Sequence, residues 1–349
     1  MANAELSERE RRVLEAVIRS YVETAEPAGS RTISRRSALG VSPATVRNTM
    51  ADLEEKGFLF HPHTSAGRVP TDKAYRFYVD GLMAVGRPLP TADRDRLAAE
   101  IGDRGSAIET ILRRAAQSLG VITQELGVAL GPRLDHTILT RLELVRMSAE
   151  RLILVLTLRG GAVRTIFVEV AGEVADDAIA QVQQVLNERL AGLSLSEIRR
   201  SLGERLRDAA AQQGGATELL NIFVQEGDQL FDVAAPADEE SVLLGQASVL
   251  ADKPEFSSGE RMRQLIALTE TRTQLAGVLR ERAAEPGVRI TIGDEHGSAL
   301  FGGLTLVTAE YRAGSLAGVI GVIGPTRMPY EKVIALVTHT SSLVTDLLT

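Results

Sequence analysis

A stretch near the amino terminus contains several arginines and one asparagine but no acidic residue. The basic residues of positions 27–51 are Arg31, Arg35, Arg36 and Arg47. No Asp or Glu interrupts them, although the whole chain carries 46 acidic residues and a formal net charge of -7. A local cationic field attracts phosphates whatever the total charge. Arg47 and Asn48 are also the residue types that hydrogen-bond guanine and adenine edges. We therefore expect duplex-DNA binding here.

The alternative for this stretch is a solvated helical hairpin with incidental arginines, since a charge run is usually a solvated face. The order of the surrounding elements favours DNA binding. Ser30 is a good N-cap for a helix up to about Leu39, and Gly40 is suited to end it. Ser42 is the predicted N-cap of a second helix, with Pro43 at its first position.

The second helix has one apolar and one small, polar side. Its buried side is predicted from Val46, Met50 and Leu53, spaced i, i+4, i+7. The residues predicted to face outward into a major groove are Ala44, Thr45, Arg47 and Asn48. Small and polar side chains of this kind let a helix approach base edges closely.

A β-hairpin, the wing, is predicted to follow at positions 58–70. HPHTSAG supplies its turn formers, with Gly67 free to adopt a positive φ. His61 and His63 are too few for a metal site in a chain without cysteine, so hydrogen-bonding or solvated roles are favoured. Arg31, Ser42, Ser65 and Arg68 are predicted to position phosphates. The full predicted DNA-binding set is Ser30, Arg31, Ser42, Ala44, Thr45, Arg47, Asn48, His63, Ser65 and Arg68. Together, helix, turn, helix and hairpin indicate a winged helix-turn-helix.

Residues 6–82 resemble the N-terminal domain of the HrcA family of heat-inducible transcription repressors. The strings that carry the resemblance are EPAGSRT, SPATVRN, MADLEEKG and PHTSAGRVPT, of which the last is the most specific. The resemblance is weak in the middle of the chain and returns at LADKPEF, VRITIGDE and GVIGVIGPTRMPY. Ala25 and Ala74 stand where the family usually has Gly, and Thr49 stands where an Asp is common.

The resemblance implies a transcriptional repressor of heat-shock chaperone operons. It also implies an inverted-repeat operator, a homodimer and modulation by the chaperonin GroEL. The residues alone support duplex binding. Dimerisation is a physical expectation, because two copies of one DNA-binding unit multiply the sequence specificity.

The size and composition of the chain agree with several folded domains. With 349 residues, 44% of them hydrophobic, two or three domains are expected. There is no cysteine and the first residues are charged rather than apolar, so we expect a cytoplasmic protein. The resemblance implies a bacterial protein that is associated with the nucleoid when bound to DNA. The longest apolar stretch, LAGVIGVIGP, is too short to span a membrane, so no membrane partner is expected. No cofactor or metal is expected.

The predicted fold class is α+β with several domains. Residues 1–87 form the winged-helix DNA-binding domain, and residues 88–130 form a helical connector. A GAF-like α/β domain is predicted from residues 131–194 and 255–349, where β-branched runs alternate with helical patterns. Residues 195–254 are interpreted as an inserted helical dimerisation segment, in keeping with the family's inserted dimerising domain. An ordinary helical part of the GAF-like domain remains an equal alternative.

Two C-terminal motifs contain residues that could take part in catalysis or phosphate binding. Asp294, Glu295 and His296 are adjacent on one predicted loop, whereas acid–base catalysis needs groups that converge from separate elements, so a solvated role is favoured. GPTRMPY offers Arg327 to a phosphate but lacks P-loop spacing, so a structural turn is favoured. An enzyme is therefore not expected. Two alternatives stay open: a metabolite-sensing winged-helix repressor with a small-molecule site in the GAF-like domain, and an interaction protein with a vestigial wing.

Overall fold

The computed structural model describes residues 6–37, 39–63, 67–85, 89–102, 108–132, 137–159, 163–170, 172, 174–210, 216–231, 242–283, 286–298, 301–314 and 316–348. Residues 6–85 form an N-terminal unit of four helices and a two-stranded ribbon. Its elements are α1 (Glu8–Thr24), α2 (Ser30–Arg36), α3 (Pro43–Glu55), β1 (Leu59–Phe60), β2 (Val69–Pro70) and α4 (Asp72–Val85). Strands β1 and β2 pair antiparallel, with Leu59 opposite Pro70.

Helix α1 begins with a capping box and is tied to the end of α3. Ser7 accepts a hydrogen bond from the Glu10 backbone, and the Glu10 carboxylate accepts one from the Ser7 backbone at 2.7 Å. Lys56 Nζ lies 2.7 Å from Glu10 Oε1. The hydrogen bond from Lys56, followed by that from Ser7, lowers the pKa of Glu10 to about 2. One carboxylate thus joins the first turn of α1 to the end of α3.

Helix α1 ends at Ala25, which has φ 56° and ψ 13°. The left-handed region costs an L-residue roughly 1–2 kcal/mol, and glycine avoids that cost. This conformation explains why a glycine is the expected residue here. The chain accepts the strain because the Ala25 N–H still satisfies the Tyr21 carbonyl at 2.9 Å.

A five-stranded antiparallel sheet forms the sheet domain, in the strand order β7-β3-β10-β9-β8. Its strands are β3 (Leu126–Leu130), β7 (Val242–Leu244), β8 (Val288–Ile292), β9 (Leu304–Ala313) and β10 (Leu316–Pro325). The helices that accompany it are α5 (Thr91–Ile101), α6 (Ile108–Thr123), α10 (Ser248–Ala251), α11 (Gly259–Glu270), α12 (Arg272–Ala283) and α13 (Tyr330–Leu348). Two short 3₁₀ turns lie at Pro254–Phe256 and Gly293–His296.

Residues 137–231 form an inserted unit with a sheet of its own. Strands β4 (Leu139–Ser148), β5 (Arg151–Leu158) and β6 (Val163–Glu169) pair antiparallel in the order β4-β5-β6. Helices α7 (Asp176–Leu190), α8 (Leu195–Ala210) and α9 (Ala216–Leu230) cover one face. Side chains on the covered face, such as Leu154, Leu186 and Phe223, form a separate buried core. The side-chain amide of Asn187 joins α7 to β4 by donating to Leu142 O at 2.7 Å.

This pairing corrects the predicted domain limits. The prediction places residues 131–194 in one domain with residues 255–349, but the strands β4, β5 and β6 of that range pair only with one another in the described part of the chain. Conversely, β3 lies in the predicted helical connector and β7 in the predicted dimerisation segment, yet both belong to the five-stranded sheet. Strand period reveals which residues are buried, and it does not reveal which strands pair.

Two details of the helices also differ from expectation. The single helix predicted from Gly259 to about Arg282 is two helices, because Thr271 leaves the helical region with φ -90° and ψ 58°. Ser30 lies inside α2, and the preceding Gly29 occupies the cap position without a side-chain hydrogen bond. No helix among the described residues is both long and apolar enough to cross a membrane.

The N-terminal unit shares its hydrophobic core with the sheet domain. One continuous cluster of buried side chains includes Val17 and Leu53 of the N-terminal unit, Leu112 of α6, and Val322 and Val333 of the sheet domain. The inserted unit contributes no residue to this cluster. The two outlying parts of the chain are therefore attached to the sheet domain in different ways.

Candidate nucleic-acid interface

Helix α3 is held by one face and presents the other to solvent. The Thr45 N–H donates to Ser42 Oγ at 3.2 Å, and Pro43 occupies the first turn, so the cap is as predicted. The buried side consists of Val46, Thr49, Met50 and Leu53. Ala44, Arg47 and Asn48 are exposed, while Thr45 is half-buried with its hydroxyl 3.0 Å from that of Ser42. The exposed face has a small side chain at its start and, one turn later, side chains that can donate hydrogen bonds.

Helix α2 crosses beside α3 and supplies most of the positive charge. Ile33 anchors it in the core, and the Ser34 hydroxyl donates to Val41 O at 2.9 Å across the connecting turn. Gly40 in this turn has φ 68°, but the helix already ends at Arg36 with Ser37 as its C-cap, so the prediction that it runs to about Leu39 and is ended by Gly40 is wrong. Arg31, Arg35 and Arg36 are exposed, and Ser30 is half-buried.

The arginines of this surface have no opposite charge beside them among the described residues. In the part of the chain that the structure describes, Arg31, Arg35, Arg36 and Arg47 form no ion pair with a carboxylate, whereas Arg68 and Arg76 do. Exposed guanidinium groups without counter-charges are available for phosphate oxygens or base edges. This cationic face, defined as Arg31, Arg35, Arg36, Arg47 and Asn48, is the chemical centre of the site.

The ribbon is attached to the N-terminal unit through its backbone. Arg68 N and Ala28 O, and Ala28 N and Arg68 O, are each joined at 2.9 Å. The φ of Gly67 is outside the left-handed region, so the predicted reason for glycine is wrong. A Cβ there would lie 2.5 Å from the Ala28 carbonyl carbon and oxygen. Glycine is required because the two backbones approach closely.

Arg68 is not the open phosphate ligand that its residue type predicted. Its Nη2 lies 2.8 Å from Glu54 Oε2, and its side chain is only 16% exposed. The other Glu54 oxygen lies 2.6 Å from His61 Nδ1. Glu54 therefore ties both strands of the ribbon to the end of α3. Sequence reasoning overlooked Glu54 because it lies just past the acid-free stretch, and only its helical position opposite the ribbon gave a signal.

The remaining predicted contacts lie toward the ribbon tip. His63 is exposed, and Ser65 lies outside the described residues. Within those residues, no group of three or more His, Asp or Glu side chains is arranged to hold a metal ion. The histidine beside Glu54 is accounted for by that hydrogen bond.

The two C-terminal motifs lie at the N-terminal unit. Glu295 accepts from Arg76 Nε at 2.7 Å, and Arg327 Nη1 donates to Val22 O at 2.8 Å. Arg327 also pairs with Glu255 at 3.1 Å, so its guanidinium is occupied by protein groups. GPTRMPY therefore offers no open cation to a phosphate, in line with a structural turn.

A cleft of about 560 Å³ in the sheet domain bears on the ligand-sensing alternative. It is lined by Glu260, Arg261, Gln264, Asp294, Gly302 and Gly303. Arg261 and Gln264 both already donate to Gly302 O, at 2.8 and 3.0 Å. Small-molecule sites are mostly lined by apolar and aromatic side chains, and this lining is polar. The cleft therefore gives little support to a metabolite site.

Comparison with known proteins points in one direction. Residues 109–334 match the family model described as the HrcA protein C terminal domain. The heat-inducible transcription repressor HrcA of Chlorobium chlorochromatii is 41% identical over 330 residues, which cover 94% of this chain and 93% of that protein. The protein of the same name from Geobacter sulfurreducens is 38% identical over 346 residues, covering 99% and 98%.

A solved structure described as a hypothetical protein shares the fold along the whole chain. It superimposes with a TM-score of 0.69 at 21% sequence identity and covers 99% of both chains. The relatives are named transcription repressors, a class of regulator rather than of enzyme.

Proposed function

Because the chain belongs to the HrcA family of heat-inducible transcription repressors, we propose that it represses transcription by binding duplex DNA through a winged helix-turn-helix. In this proposal α2 and α3 are the helix-turn-helix, α3 is the recognition helix, and the ribbon of β1 and β2 is the wing. The sheet domain is GAF-like and carries the DNA-binding domain.

The observation that carries the proposal is the exposed side of α3. A capped helix whose opposite side is fully buried holds Ala44, Arg47 and Asn48 outward at one position relative to the core. The small residue at the N-terminal end allows close approach to the floor of a major groove. Arg47 then donates to guanine O6 and N7, and Asn48 pairs with adenine N6 and N7.

Phosphate contacts flank this helix. Arg31 on α2 and the Ser42 hydroxyl at the start of α3 face the two strands of the groove, and Ser30, His63 and Ser65 complete the set. Contacts of this kind fix the register of a protein on DNA and carry no sequence information. Arg68 is excluded from the set, since its charge is already matched by Glu54 at 2.8 Å.

A homodimer on an inverted repeat is proposed, formed through the uncovered face of the inserted unit's sheet. Apolar side chains are exposed there, among them Met147 at 59%, Val163 at 61% and Phe167 at 64%. Val145, Ile153 and Phe167 lie in one row across the three strands. An apolar patch with a polar rim marks an interface.

The charges at the margins of this face favour a second copy as its occupant. Arg141 lies 3.0 Å from Glu143, and Arg151 lies 3.4 Å from Glu169. A two-fold axis places the same face of each copy opposite the other, and a face that carries both signs of charge at its margins can pair with itself. Two recognition helices related by such an axis match the two halves of an inverted repeat.

Regulation by the chaperonin GroEL completes the proposal and rests on the family membership. Heat fills the chaperonin with unfolded clients, the repressor loses its folding support, and transcription of the controlled chaperone operons rises. A repressor of this kind acts in the bacterial cytoplasm and is associated with the nucleoid when bound.

Footprinting on fragmented genomic DNA, with and without chaperonin, tests the proposal. The expected result is a small number of protected sites with inverted-repeat symmetry, occupied more fully when chaperonin is present. The double variant Arg47→Ala Asn48→Ala is the control and should protect none of them. Uniform weak protection of all fragments by the parent protein would refute sequence-specific binding. Stabilisation by one small metabolite in a thermal-shift screen would favour the ligand-sensing alternative instead.

A further inference from the structure

The N-terminal unit is fixed to the sheet domain at two separated points, which together we name the docking joint. One point joins Asp72 and Arg76 of α4 to the 3₁₀ turn Gly293–His296. The other joins the end of α1 to Arg327, which follows β10. Both points use residues of the two C-terminal motifs, which neither acid–base catalysis nor phosphate binding explains.

The first point is a dense set of polar contacts. Arg76 Nε lies 2.7 Å from Glu295 Oε1, and Arg76 Nη2 lies 2.5 Å from Glu295 Oε2. The same Nη2 donates to Ile290 O at 2.7 Å. Glu295 is itself oriented by the Ile292 N–H at 2.8 Å. A guanidinium that engages both carboxylate oxygens and a carbonyl restricts rotation as well as separation.

The backbone of the 3₁₀ turn is shaped to receive α4. Gly293 has φ 50°, and a Cβ at this residue would lie 1.8 Å from Asp72 Oδ2. The next amide, Asp294 N–H, donates to the same Asp72 oxygen at 3.1 Å. A side chain at position 293 would displace the Asp72 carboxylate from its hydrogen bond with the Asp294 N–H and would be strained at this φ, so this point of the joint depends on glycine.

The second point lies at the carboxyl end of α1. Arg327 Nη1 donates to Val22 O at 2.8 Å, near the helix end where backbone carbonyls lack partners. A cation is favoured there by the helix dipole. Glu255 holds Arg327 in place through Nη2 at 3.1 Å and through a second contact at Nε. Between the two points, the rings of Tyr75 and Tyr330 are packed 5.7 Å apart.

Helix α3 is linked to α4 through residues that flank the ribbon. The Thr71 hydroxyl, just before α4, donates to Gly57 O at 2.8 Å, and its backbone N–H donates to Phe58 O at 3.0 Å. Glu54 of α3 is in turn paired with Arg68 of the ribbon. Contacts at Arg76 therefore control the orientation of α3 relative to the sheet domain.

We propose that Arg76, Glu295 and Arg327 are positioning residues for operator binding: by holding the N-terminal unit in one orientation, they determine which half-site spacing the dimer accepts. The inference rests on the proposed function. Two rigidly held DNA-binding units fit one half-site spacing. Two loosely tethered units accept several spacings, each with a lower effective concentration of the second unit at its half-site.

The test uses a series of inverted-repeat duplexes that differ only in the number of base pairs between the half-sites. The loosened variant is Arg76→Met Arg327→Met, which keeps the apolar stems and removes both charges. Arg76→Lys Arg327→Lys is the conservative variant. Arg113→Met is the matched control, since Arg113 forms an exposed pair with Glu109 at 2.6 Å on α6.

The parent protein and Arg113→Met should prefer one spacing over its neighbours by at least ~fivefold in Kd, and the loosened variant should bring that ratio close to unity. The conservative variant should recover part of the preference. Affinity for a single half-site should change less than ~twofold in all of them, since α3 is untouched.

An intramolecular distance gives a second readout that needs no DNA. The chain has no cysteine, so nitroxide labels at Asp52→Cys on α3 and Gln274→Cys on α12 report one distance. The distribution should be narrow in the parent protein and broad in the loosened variant.

The possible failures are distinguishable. A parent protein that binds no duplex refutes the proposed function and the inference with it. A parent protein with a clear spacing optimum that the loosened variant retains, with an equally narrow distance distribution, overturns the inference alone. Equal loss of affinity at every spacing and at the single half-site would show a purely structural role and would also overturn it.

Discussion

The N-terminal unit and the inserted unit are attached to the sheet domain in opposite ways. The N-terminal unit shares one continuous core with the sheet domain, through Tyr75, Tyr330 and their neighbours. The inserted unit interrupts the sequence of the sheet domain but keeps a separate core around Phe223. Position in the sequence therefore does not decide which parts fold as one cooperative body, whereas shared buried surface does.

The difference has a physical cause in what each unit can bury alone. The inserted unit covers a three-stranded sheet with three helices, which is enough to enclose a row of leucines. The N-terminal unit is small and has only a two-stranded ribbon, and its buried side chains belong to a cluster that continues into the sheet domain. The shared core keeps this unit against the sheet domain, and the polar contacts of Arg76 and Arg327 add to what fixes its orientation.

Truncating Phe223, which is fully buried in the inserted unit, should have the largest local effect. Phe223→Ala should lower the stability of that unit by about 3–5 kcal/mol through lost burial and a cavity. Hydrogen exchange read by mass spectrometry should accelerate within residues 137–231 and stay unchanged in α3 and β10. Equal acceleration throughout the chain would break the comparison, because it would show one cooperative core.

Tyr75→Ala should have a similar cost of about 3–5 kcal/mol but spread over two regions. Because Tyr75 is packed against Tyr330, exchange should accelerate both in α3 and in α13, with the inserted unit protected as before. The same exchange experiment supplies the measurement. Acceleration confined to residues 6–85 would show that the N-terminal unit is as independent as the inserted one.

Phe167→Glu should separate assembly from folding. Phe167 is 64% exposed, so a carboxylate there costs the isolated chain little, but burying it unpaired in a dimer is unfavourable. Sedimentation equilibrium should show weaker association, with the Kd of the dimer raised at least ~tenfold, and the melting temperature of a dilute sample preserved. Phe60→Glu, on the ribbon of the N-terminal unit, is the control and should leave association unchanged. A dimer that tolerates Phe167→Glu would move the interface elsewhere.

The smallest predicted effect is at the end of α1. Ala25→Gly should stabilise the N-terminal unit by about 0.5–1 kcal/mol, because relief of the left-handed strain exceeds the extra entropy of glycine in the unfolded chain. Thermal unfolding monitored by circular dichroism measures the change. Gln124 also has a positive φ, of 59°, so Gln124→Gly at the end of α6 is a matched comparison. Destabilisation by Ala25→Gly would mean that the Ala25 methyl packs usefully.

Local chemistry was the part of the fold that the sequence could predict. The capping box at Ser7 and Glu10 and the capped start of α3 at Ser42 are confirmed, since each depends on residues within four positions. The exposed side of α3 followed from helical period alone. The sequence could not show which strands belong to which sheet, because the alternation of apolar and polar residues along a strand is the same whichever strand pairs with it.

The wrong predictions share one cause. In each case the role of the residue is decided by a contact with a residue on another element. Arg68 has the residue type of a phosphate ligand, but Glu54 on another element neutralises it. Gly67 has the type of a turn residue, but the approach of Ala28 is what excludes a side chain. The adjacent acids Asp294 and Glu295 gave no sign that α4 is their partner.

The central claim is that the exposed side of α3 contacts base edges. Competition binding of the parent protein and of Arg47→Ala, on the footprinted operator against a random duplex of equal length, tests it most directly. Arg200→Ala in the inserted unit is the control for the loss of one charge. Arg47→Ala should lose about 1–3 kcal/mol of discrimination between the two duplexes, while Arg200→Ala keeps it. Unchanged discrimination by Arg47→Ala, and by Asn48→Ala beside it, would contradict the account.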